Sequence, residues 1–344
     1  MKTLILLLAT SAALAQNWQP NVTNSRFETR KFSGDLASDL RSVTGPPVWF
    51  GYAVKTASRD RTSCCWEGSN QCGCHLEAEC GTVTNNSYSK NPVQLEGSDG
   101  LAILFRVTNH GVEKVHVYSL TCPLDAGGLP FVWLTGVSAD ASLTYLQKLV
   151  SANASDHVLE GAILAVAQHD DPQADDALEQ FTRPTQPEKI REKATFWLGA
   201  SRGSPGVTIL KNILAHDPSD GLRDKAVFAL SISKQPEALE SLIHAARSDS
   251  SAHVRGEAIF WLSQKAGKRA SSTITDAIEN DPDTQVKKQA VFALSQLPKD
   301  EGVPKLIDVA RRQKNREVRK QAFFWLGQSQ DTRALAFIEQ VLTR

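Results

Sequence analysis

Five cysteines and one histidine that lie close together are the residues of this sequence best suited to chemistry. They are Cys64, Cys65, Cys72, Cys74, His75 and Cys80. Thiolates and imidazole nitrogens are preferred ligands of zinc, and Cys72, Cys74, His75 and Cys80 would provide four of them. Their spacing lacks the paired Cys-x-x-Cys knuckles of common zinc sites, however, and oxidation competes with metal binding. The segment therefore leaves a metal site open as an alternative without specifying one.

The same cysteines suit disulfide bonds. With Cys122 the sequence has six cysteines, an even number. Exported proteins use such sets to stabilise loops that lack a core of their own. We expect three structural disulfides among the six residues, and the spacing leaves their pairing open. A redox role is not indicated, because the segment has no Cys-x-x-Cys motif that would tune a reactive thiolate.

The motifs of the common enzyme classes are missing from the sequence. It has no Gly-x-Ser-x-Gly nucleophile elbow, no His-Glu-x-x-His helix, no phosphate-binding glycine loop and no dinucleotide fingerprint. We therefore predict no catalytic residue and no cofactor, and we favour a non-enzymatic role. The alternative is an enzyme or metal-binding protein that uses the Cys/His loop.

The first residues predict export. The segment from Met1 to Ala15 carries one early charge, an apolar run from Leu4 to Ala9 and a small-residue ending, which is the pattern of a signal peptide. The mature chain would begin near Gln16 and reside in the periplasm or outside the cell. No later stretch has the ~20 consecutive apolar residues of a transmembrane helix, so no membrane span is expected. The formal net charge is +0, which gives no drive toward nucleic acid.

An internal repeat determines the elements that must position any site. Segments of the form aliphatic-x-x-x-Ala begin every 32 residues, at Val158, Ile190, Leu222, Val254, Val286 and Val318. Four residues after each alanine comes a further aliphatic residue, so each segment predicts a helix with one apolar face, called here the B helix. Twelve positions before each segment an aliphatic residue marks a preceding A helix, and the series is Leu146, Leu178, Leu210, Leu242, Ile274, Leu306 and, in a last A helix, Ile338. The sequence predicts an α-solenoid over residues 138–344, made of six helical hairpins and a final helix.

Charged residues recur at fixed positions of these units. A basic residue follows the first position of five B helices, and an aspartate lies five positions before three of them; the residues are Arg191, Arg223, Arg255, Lys287 and Arg319, with Asp217, Asp249 and Asp281. With this pattern the units resemble HEAT repeats, in particular the short HEAT-like repeats of the phycobilisome bilin lyases. The resemblance implies that these residues form a structural ladder between neighbouring repeats. It implies no catalytic residue, because HEAT arrays serve scaffolds, adaptors and some enzymes alike.

One position of the B helix alternates between tryptophan and alanine. Seven residues after the start of each segment stand Trp197, Trp261 and Trp325, with Ala165, Ala229 and Ala293 in the repeats between them. One interpretation is packing, in which a large residue in one repeat meets a small one in the next. The other is an aromatic ladder on the inner face that binds an extended partner, with the three tryptophans as partner-binding candidates.

Charge is spread unevenly along the predicted solenoid. Residues 151–180 contain acids but no Lys or Arg, whereas the last repeats are rich in bases. Among these bases the candidate partner-binding residues are Arg311, Arg312, Lys314 and Arg316. One interpretation is a pair of solvated faces. The other is a polar array that attracts an acidic partner or associates with itself through charge.

Two further segments are expected ahead of the solenoid: a polar stretch over residues 16–45 and a small cysteine-rich β domain over residues 46–136. Runs of apolar, β-branched and aromatic residues predict four strands in it, at Val48–Val54, Leu101–Thr108, Lys114–Leu120 and Leu129–Leu134. The fold class is thus mainly α, with an α-solenoid preceded by a small β domain. The function that fits best is an extracytoplasmic scaffold or adaptor that binds a protein or peptide on the solenoid surface.

Overall fold

A computed structural model describes residues 19–41, 43, 45–57, 66–67, 70–71, 75–77, 100–151 and 154–343. The predicted leader and Cys64, Cys65, Cys72, Cys74 and Cys80 lie outside the described residues. The chain forms two compact units. The first consists mainly of residues before 138, and the second mainly of residues from 138 onward.

The first unit is built from short strands and one helix. In chain order these are β1 (Asn21–Thr23), β2 (Phe27–Lys31), α1 (Leu36–Arg41), β3 (Val48–Lys55), β4 (Trp66–Glu67), β5 (Asn70–Gln71), β6 (Gly100–Thr108), β7 (Gly111–Ser119), β8 (Pro123–Asp125) and β9 (Phe131–Thr135). The main sheet has five strands in the order β2-β9-β3-β6-β7, and the pairs β1-β8 and β4-β5 form separate small sheets. All four predicted strands are confirmed.

Burial explains why these four strands can be predicted and β2 cannot. Strands β3 and β6 pair antiparallel at the centre of the sheet, with mostly buried residues on both faces, so each appears in the sequence as a continuous apolar run. Strand β2 pairs parallel with β9 at the sheet edge, and four of its five residues are exposed. Its sequence, Phe-Glu-Thr-Arg-Lys, therefore carries no apolar pattern.

The second unit contains thirteen α-helices among the described residues, as the repeat predicts. They are α2 (Ala139–Ser151), α3 (Asp156–Gln168), α4 (Pro172–Thr182), α5 (Glu188–Ser201), α6 (Gly203–His216), α7 (Asp220–Ile232), α8 (Glu237–Ser248), α9 (Ala252–Ala266), α10 (Ser271–Asn280), α11 (Thr284–Ser295), α12 (Lys299–Arg312), α13 (Arg316–Gln328) and α14 (Thr332–Leu342). The even-numbered helices are A helices, and the odd-numbered ones from α3 to α13 are B helices. The predicted fold class is confirmed.

The B helices form a tightly packed layer. The alanine of each repeated segment and the aliphatic residue four positions later are both fully buried, as at Ala258 and Leu262. A Cβ atom at Gly199 of α5 would collide with the backbone carbonyl of Ala229 of α7, so only glycine allows this approach. Successive B helices make more contacts with each other than successive A helices do. The B layer is therefore the inner layer of the solenoid.

Three buried ion pairs connect neighbouring repeats. Arg255 of α9 donates from Nε and Nη2 to the carboxylate of Asp281 at 2.7 and 2.9 Å, and from Nη1 to the carbonyl oxygen of Asp249 at 2.9 Å. Arg223 binds the Asp249 carboxylate in the same way, at 2.9 and 3.0 Å. Arg191 pairs with Asp217. The ladder that the resemblance implied is thus present at three rungs, and the hydrogen bonds that Arg223 and Arg255 donate to Asp249 and Asp281 raise the pKa of both arginines.

The ladder does not continue to the next rung. Lys287 donates to the carbonyl oxygen of Glu279, and Gln313 occupies the position of the next aspartate. The Gln313 side chain donates to the carbonyl oxygen of Ile278 at 2.9 Å. Arg319 binds the carbonyl oxygens of Gln313 and Lys314 within its own repeat. Within the described residues Lys287 therefore forms no rung between repeats, because Gln313 stands where the aspartate would be. The role of Arg319 between repeats stays a prediction.

His169 is the most deeply buried histidine among the described residues, at 1 % exposure. Its Nδ1 lies 2.7 Å from the carbonyl oxygen of Ala165, and its Nε2 lies 2.9 Å from the hydroxyl oxygen of Ser142. Because a carbonyl only accepts, Nδ1 must donate, and a neutral ring then accepts from Ser142 at Nε2. Burial lowers the pKa of His169 to about 4.

Removal of one ladder arginine should cost far more stability than removal of an exposed one. In Arg255→Met the carboxylate of Asp281, whose side chain is only 6 % exposed, loses its partner. We expect the free energy of unfolding, measured with urea, to fall by about 3 kcal/mol. The control is Arg312→Met, whose pair with Asp308 is exposed, and it should leave the unfolding curve unchanged. Equal effects of the two substitutions would contradict a structural role of the ladder.

Acid should destabilise the protein through His169. The unfolded chain binds a proton at this ring below its ordinary pKa of about 6.5, whereas the folded chain does so only near 4. The contribution of His169 to the free energy of unfolding is therefore fully present above pH 6.5 and is lost as the pH falls. The loss is about 2 kcal/mol between pH 7 and pH 4.5. Urea unfolding of the wild type and of His169→Gln at both pH values checks this. The variant should lose less stability, and equal losses would show that His169 does not contribute.

Candidate functional site

A phenylalanine stands at the same position of five B helices. These residues are Phe196, Phe228, Phe260, Phe292 and Phe324, each 32 residues after the last and six after the start of its segment. Each lies next to the position that alternates between tryptophan and alanine. The eight aromatic side chains at the two positions, which include Trp197, Trp261 and Trp325, are called here the aromatic stripe.

The rings of the aromatic stripe form one continuous chain. Within a helix each tryptophan contacts its neighbouring phenylalanine, and between helices the contact is phenylalanine with phenylalanine or phenylalanine with tryptophan. From the α5 end the centroid distances are 5.0 Å for Trp197–Phe196, 6.2 Å for Phe196–Phe228, 5.0 Å for Phe228–Trp261, 5.0 Å for Trp261–Phe260, 6.1 Å for Phe260–Phe292, 5.0 Å for Phe292–Trp325 and 4.9 Å for Trp325–Phe324. These distances are typical of favourable aromatic pairs.

The aromatic stripe is on the surface, unlike the anchors of the core. Every one of its rings is half-buried or exposed, and Phe196 and Phe324 are 37 % and 53 % exposed. Trp261 contacts Phe228 of the preceding repeat, where the neighbouring residue is the fully buried Ala229. Trp261 and Trp325 therefore pack between repeats, and all three tryptophans contribute to a surface row of rings. They do not contact one another directly; phenylalanines connect them.

Sequence reasoning missed the five phenylalanines, although their signal was available. Their spacing of 32 residues is as regular as that of the buried alanines. The positions that stand out in the repeat are those that must be buried and those that alternate in residue type. A half-exposed position that is always phenylalanine belongs to neither group.

Titratable side chains stand on the B helices beside the aromatic stripe, with Lys193 and Lys225 one helical turn before Phe196 and Phe228. They form pairs between neighbouring B helices: Lys193 with Glu160, Lys225 with Glu192, and His253 with Asp224. In the same row Glu257 is partly buried, and burial together with the nearby charge of Asp224 raises its pKa. The stripe thus has an apolar centre and a polar border, which is the anatomy of a protein interface.

The charged side chains of the acidic region, residues 151–180, and of the basic last repeats have different partners. In the acidic region Asp156 pairs with Lys189, Glu160 with Lys193 and Asp175 with Arg202. In the basic region Arg311 lies 4.9 Å from the ring centroid of Phe337, and Arg312 pairs with Asp308. Lys314 and Arg316 are exposed. Exposed charged side chains therefore occur at both ends, and Lys314 and Arg316 are the exposed basic ones that form no ion pair with another described residue.

The Cys/His loop is described only in part. His75 pairs with Asp125, with 3.0 Å between Nδ1 and Oδ2. The carboxylate of Glu77 accepts from Trp49 Nε1 at 2.7 Å and from Arg106, which fixes this segment to the sheet. Within the described residues no group of three or more His, Cys, Asp or Glu side chains could hold a metal ion. The candidates Cys72, Cys74 and Cys80 are not described, so the metal site stays an untested alternative.

Cys122 is the one cysteine that the structure describes. It is fully buried and disulfide-bonded, and its partner lies outside the described residues. The pairing of the other cysteines stays a prediction. None of the helices described is long and apolar enough to cross a membrane.

A family model of HEAT repeats matches residues 182–263 and 271–344. Residues 182–344 are HEAT repeats. The helices α5 to α14, which carry the ladder and the aromatic stripe, thus lie within the HEAT repeats. No curated protein matches the chain in sequence.

Solved structures similar to part of this chain include the following three. Human deoxyhypusine hydroxylase is 20 % identical over 55 % of this chain and 74 % of its own, with a TM-score of 0.31. The CpcE–CpcF complex of phycocyanin lyase from Nostoc sp. PCC7120 is 19 % identical over 56 % and 77 %, with a TM-score of 0.32. The condensin Cnd3–Cnd2 subcomplex of S. pombe is 19 % identical over 56 % and 29 %, with a TM-score of 0.38.

Two substitutions in the aromatic stripe should differ in their effect on stability. Trp261→Ala removes a ring that connects two repeats, so we expect the free energy of unfolding to fall by about 2 kcal/mol. Phe324→Ala removes the most exposed ring of the stripe and should cost less than half as much. Urea unfolding of both variants checks this. If the free energy of unfolding of Trp261→Ala equals that of the wild type, the tryptophans do not pack the repeats together.

Proposed function

We propose that the protein is an extracytoplasmic scaffold or adaptor that binds a protein or peptide partner along the aromatic stripe. The observation that carries the proposal is the continuous chain of eight partly exposed rings across α5, α7, α9, α11 and α13. A surface of this kind is unusual on a protein that binds nothing, because large apolar groups are normally dispersed over the surface.

Aromatic rings suit partner binding for physical reasons. They bury a large apolar area and lose little conformational freedom on contact, so they dominate the energy of many interfaces. The rings of the stripe are already ordered by their neighbours, which lowers the entropic cost of binding further. An extended segment could lie across successive B helices and contact one phenylalanine in each.

The basic end of the solenoid adds a charge preference to this proposal. Arg312, Lys314 and Arg316 are exposed near the last B helix, α13. A partner with an acidic segment at this end would gain electrostatic attraction and a faster association. Self-association through charge has less support, because three of the acids in the opposite region are already paired within the chain.

Export is supported by the sequence of residues 1–15 and by the even number of cysteines. The disulfide of Cys122 fits an oxidising compartment, where such bonds persist.

Peptide selection tests the binding surface. A random peptide library is selected on the wild-type protein, and the recovered peptides are then measured against Phe196→Ser/Phe260→Ser/Phe324→Ser. We expect these peptides to lose at least tenfold in affinity for the triple variant. The matched control is Leu335→Ser/Val341→Ser, which removes exposed apolar residues outside the stripe and should retain full affinity. Selected peptides that bind both variants equally would contradict the proposal.

Intact mass tests export and oxidation together. The protein isolated from its own host under non-reducing conditions should lack residues 1–15 and should not react with thiol reagents before reduction. A full-length mass, or six reactive thiols, would contradict the assignment to an extracytoplasmic compartment.

A further inference from the structure

A cavity of about 390 Å³ lies between α11, α12 and α13. Its apolar wall includes Leu294, Leu297, Val303 and Leu306, and the indole of Trp325 lines it as well. The polar rim contains Gln296, Lys299, Gln328, Ser329 and Gln330. A cavity of this size holds a small ligand or one side chain of a partner.

The repeat shows what fills the equivalent place elsewhere in the solenoid. Every second B helix carries a tryptophan, and in the first two of these helices a basic side chain follows it near the helix end. In α9 this is Lys265, whose Nζ donates to the carbonyl oxygens of Ser231 and Ser233 at 2.8 and 2.5 Å. Just after α5 it is Arg202, whose Nη1 donates to the carbonyl oxygens of Ala167 and His169 at 3.2 and 2.5 Å.

These two cations bind corresponding atoms. Ala167 and Ser231 occupy the same position of successive odd repeats, and so do His169 and Ser233. In each case the cation of one repeat meets the last carbonyl groups of the preceding B helix. Such groups carry partial negative charge and lack a partner within the helix. The repeats of Trp197 and Trp261 therefore each supply a cation that binds the C-terminal end of the preceding B helix.

The third tryptophan-bearing B helix, α13, is not followed by such a cation. The positions that correspond to Lys265 and Arg202 are Ser329 and Gln330, after the helix of Trp325. The carbonyl groups they would bind belong to Ser295 and Leu297, and both residues line the cavity. Among the described residues, no hydrogen bond from a side chain reaches either carbonyl oxygen. The cavity is thus the place where a basic side chain is missing.

We propose that this cavity binds an ammonium or guanidinium cation carried on an alkyl chain. The carbonyl oxygens of Ser295 and Leu297 accept from the cation, and the apolar wall receives the alkyl stem, as it does for snorkelling lysines. The Trp325 ring adds a cation–π contribution. The source of the cation is a lysine or arginine side chain of a partner, or a free alkylamine.

The polar rim distinguishes these two sources. A peptide lysine brings backbone N–H and carbonyl groups that bond to the rim side chains of Gln296, Gln328 and Gln330, whereas a simple alkylamine has no such groups. The rim therefore favours a peptide side chain.

The charged groups around the cavity do not oppose a cation. Lys299 is exposed at the rim, and its charge contributes to lowering the pKa of Asp331. Arg333 pairs with Asp331 and also donates to the carbonyl oxygen of Lys299. Asp300 adds a second acid beside Arg333. The cluster of Lys299, Asp300, Asp331 and Arg333 thus has no net charge.

Direct binding is measured on the full chain by NMR of the tryptophan indole N–H groups, with Trp325→Phe to assign the signal. The probes are N-acetyl-lysine methylamide, butylammonium and the uncharged N-acetyl-norleucine methylamide. We expect the Trp325 signal to shift with the lysine amide, to shift at higher concentration with butylammonium, and to stay in place with the norleucine amide. Equal affinity of the two cations would assign the site to free amines. No shift with either cation, or an equal shift with norleucine, would overturn the proposal.

An engineered cation provides the independent test. Ser329→Lys restores the residue found at the Lys265 position, and it should raise the melting temperature and abolish the response to both cations. Ser329→Met, which has similar length and no charge, is the matched control and should do neither. Equal melting temperatures and equal probe responses for the two variants would overturn the proposal. Because neither test uses the aromatic stripe or a natural partner, failure here leaves the proposed function untouched.

Discussion

The close contact between successive B helices is the constraint on which the rest of the structure depends. A fully buried alanine occurs at the same position of every B helix, as at Ala194, Ala226 and Ala258. A small residue there lets neighbouring helices approach until their other side chains meet in register. This one register places each ladder arginine beside the aspartate of the next repeat. It also brings the rings of the aromatic stripe to within about 6 Å of each other, as for Phe260 and Phe292.

The last repeats depart from this pattern in two places. The ladder ends where Gln313 replaces an aspartate, and the series of cations ends where Ser329 and Gln330 follow the helix of Trp325. Both departures occur at the hairpin of α12 and α13. The same two helices line the cavity, and they also carry the exposed Arg312, Arg316 and Phe324.

Burial determined how much of this could be predicted from the sequence. The helices of the solenoid and strands β3 and β6 could be located because their core positions accept few residue types and recur in register. The edge strand β2 could not, since four of its five side chains face solvent. The phenylalanines of the stripe were missed for a related reason: they are regular but half-buried, and pattern analysis weighs burial. The cavity near Trp325 follows only from coordinates, because it is defined by the carbonyl groups that a side chain does not reach.

Site-specific crosslinking tests the central claim, that partners bind along the aromatic stripe, most directly. A photoreactive benzoyl-phenylalanine is placed at Phe260 in the middle of the stripe, or at the exposed Glu240 of the A helix α8. Both proteins are produced in the native host and irradiated there. A discrete crosslinked partner is expected from position 260 and none from position 240. The same partner from both positions, or a partner from position 240 alone, would contradict the central claim.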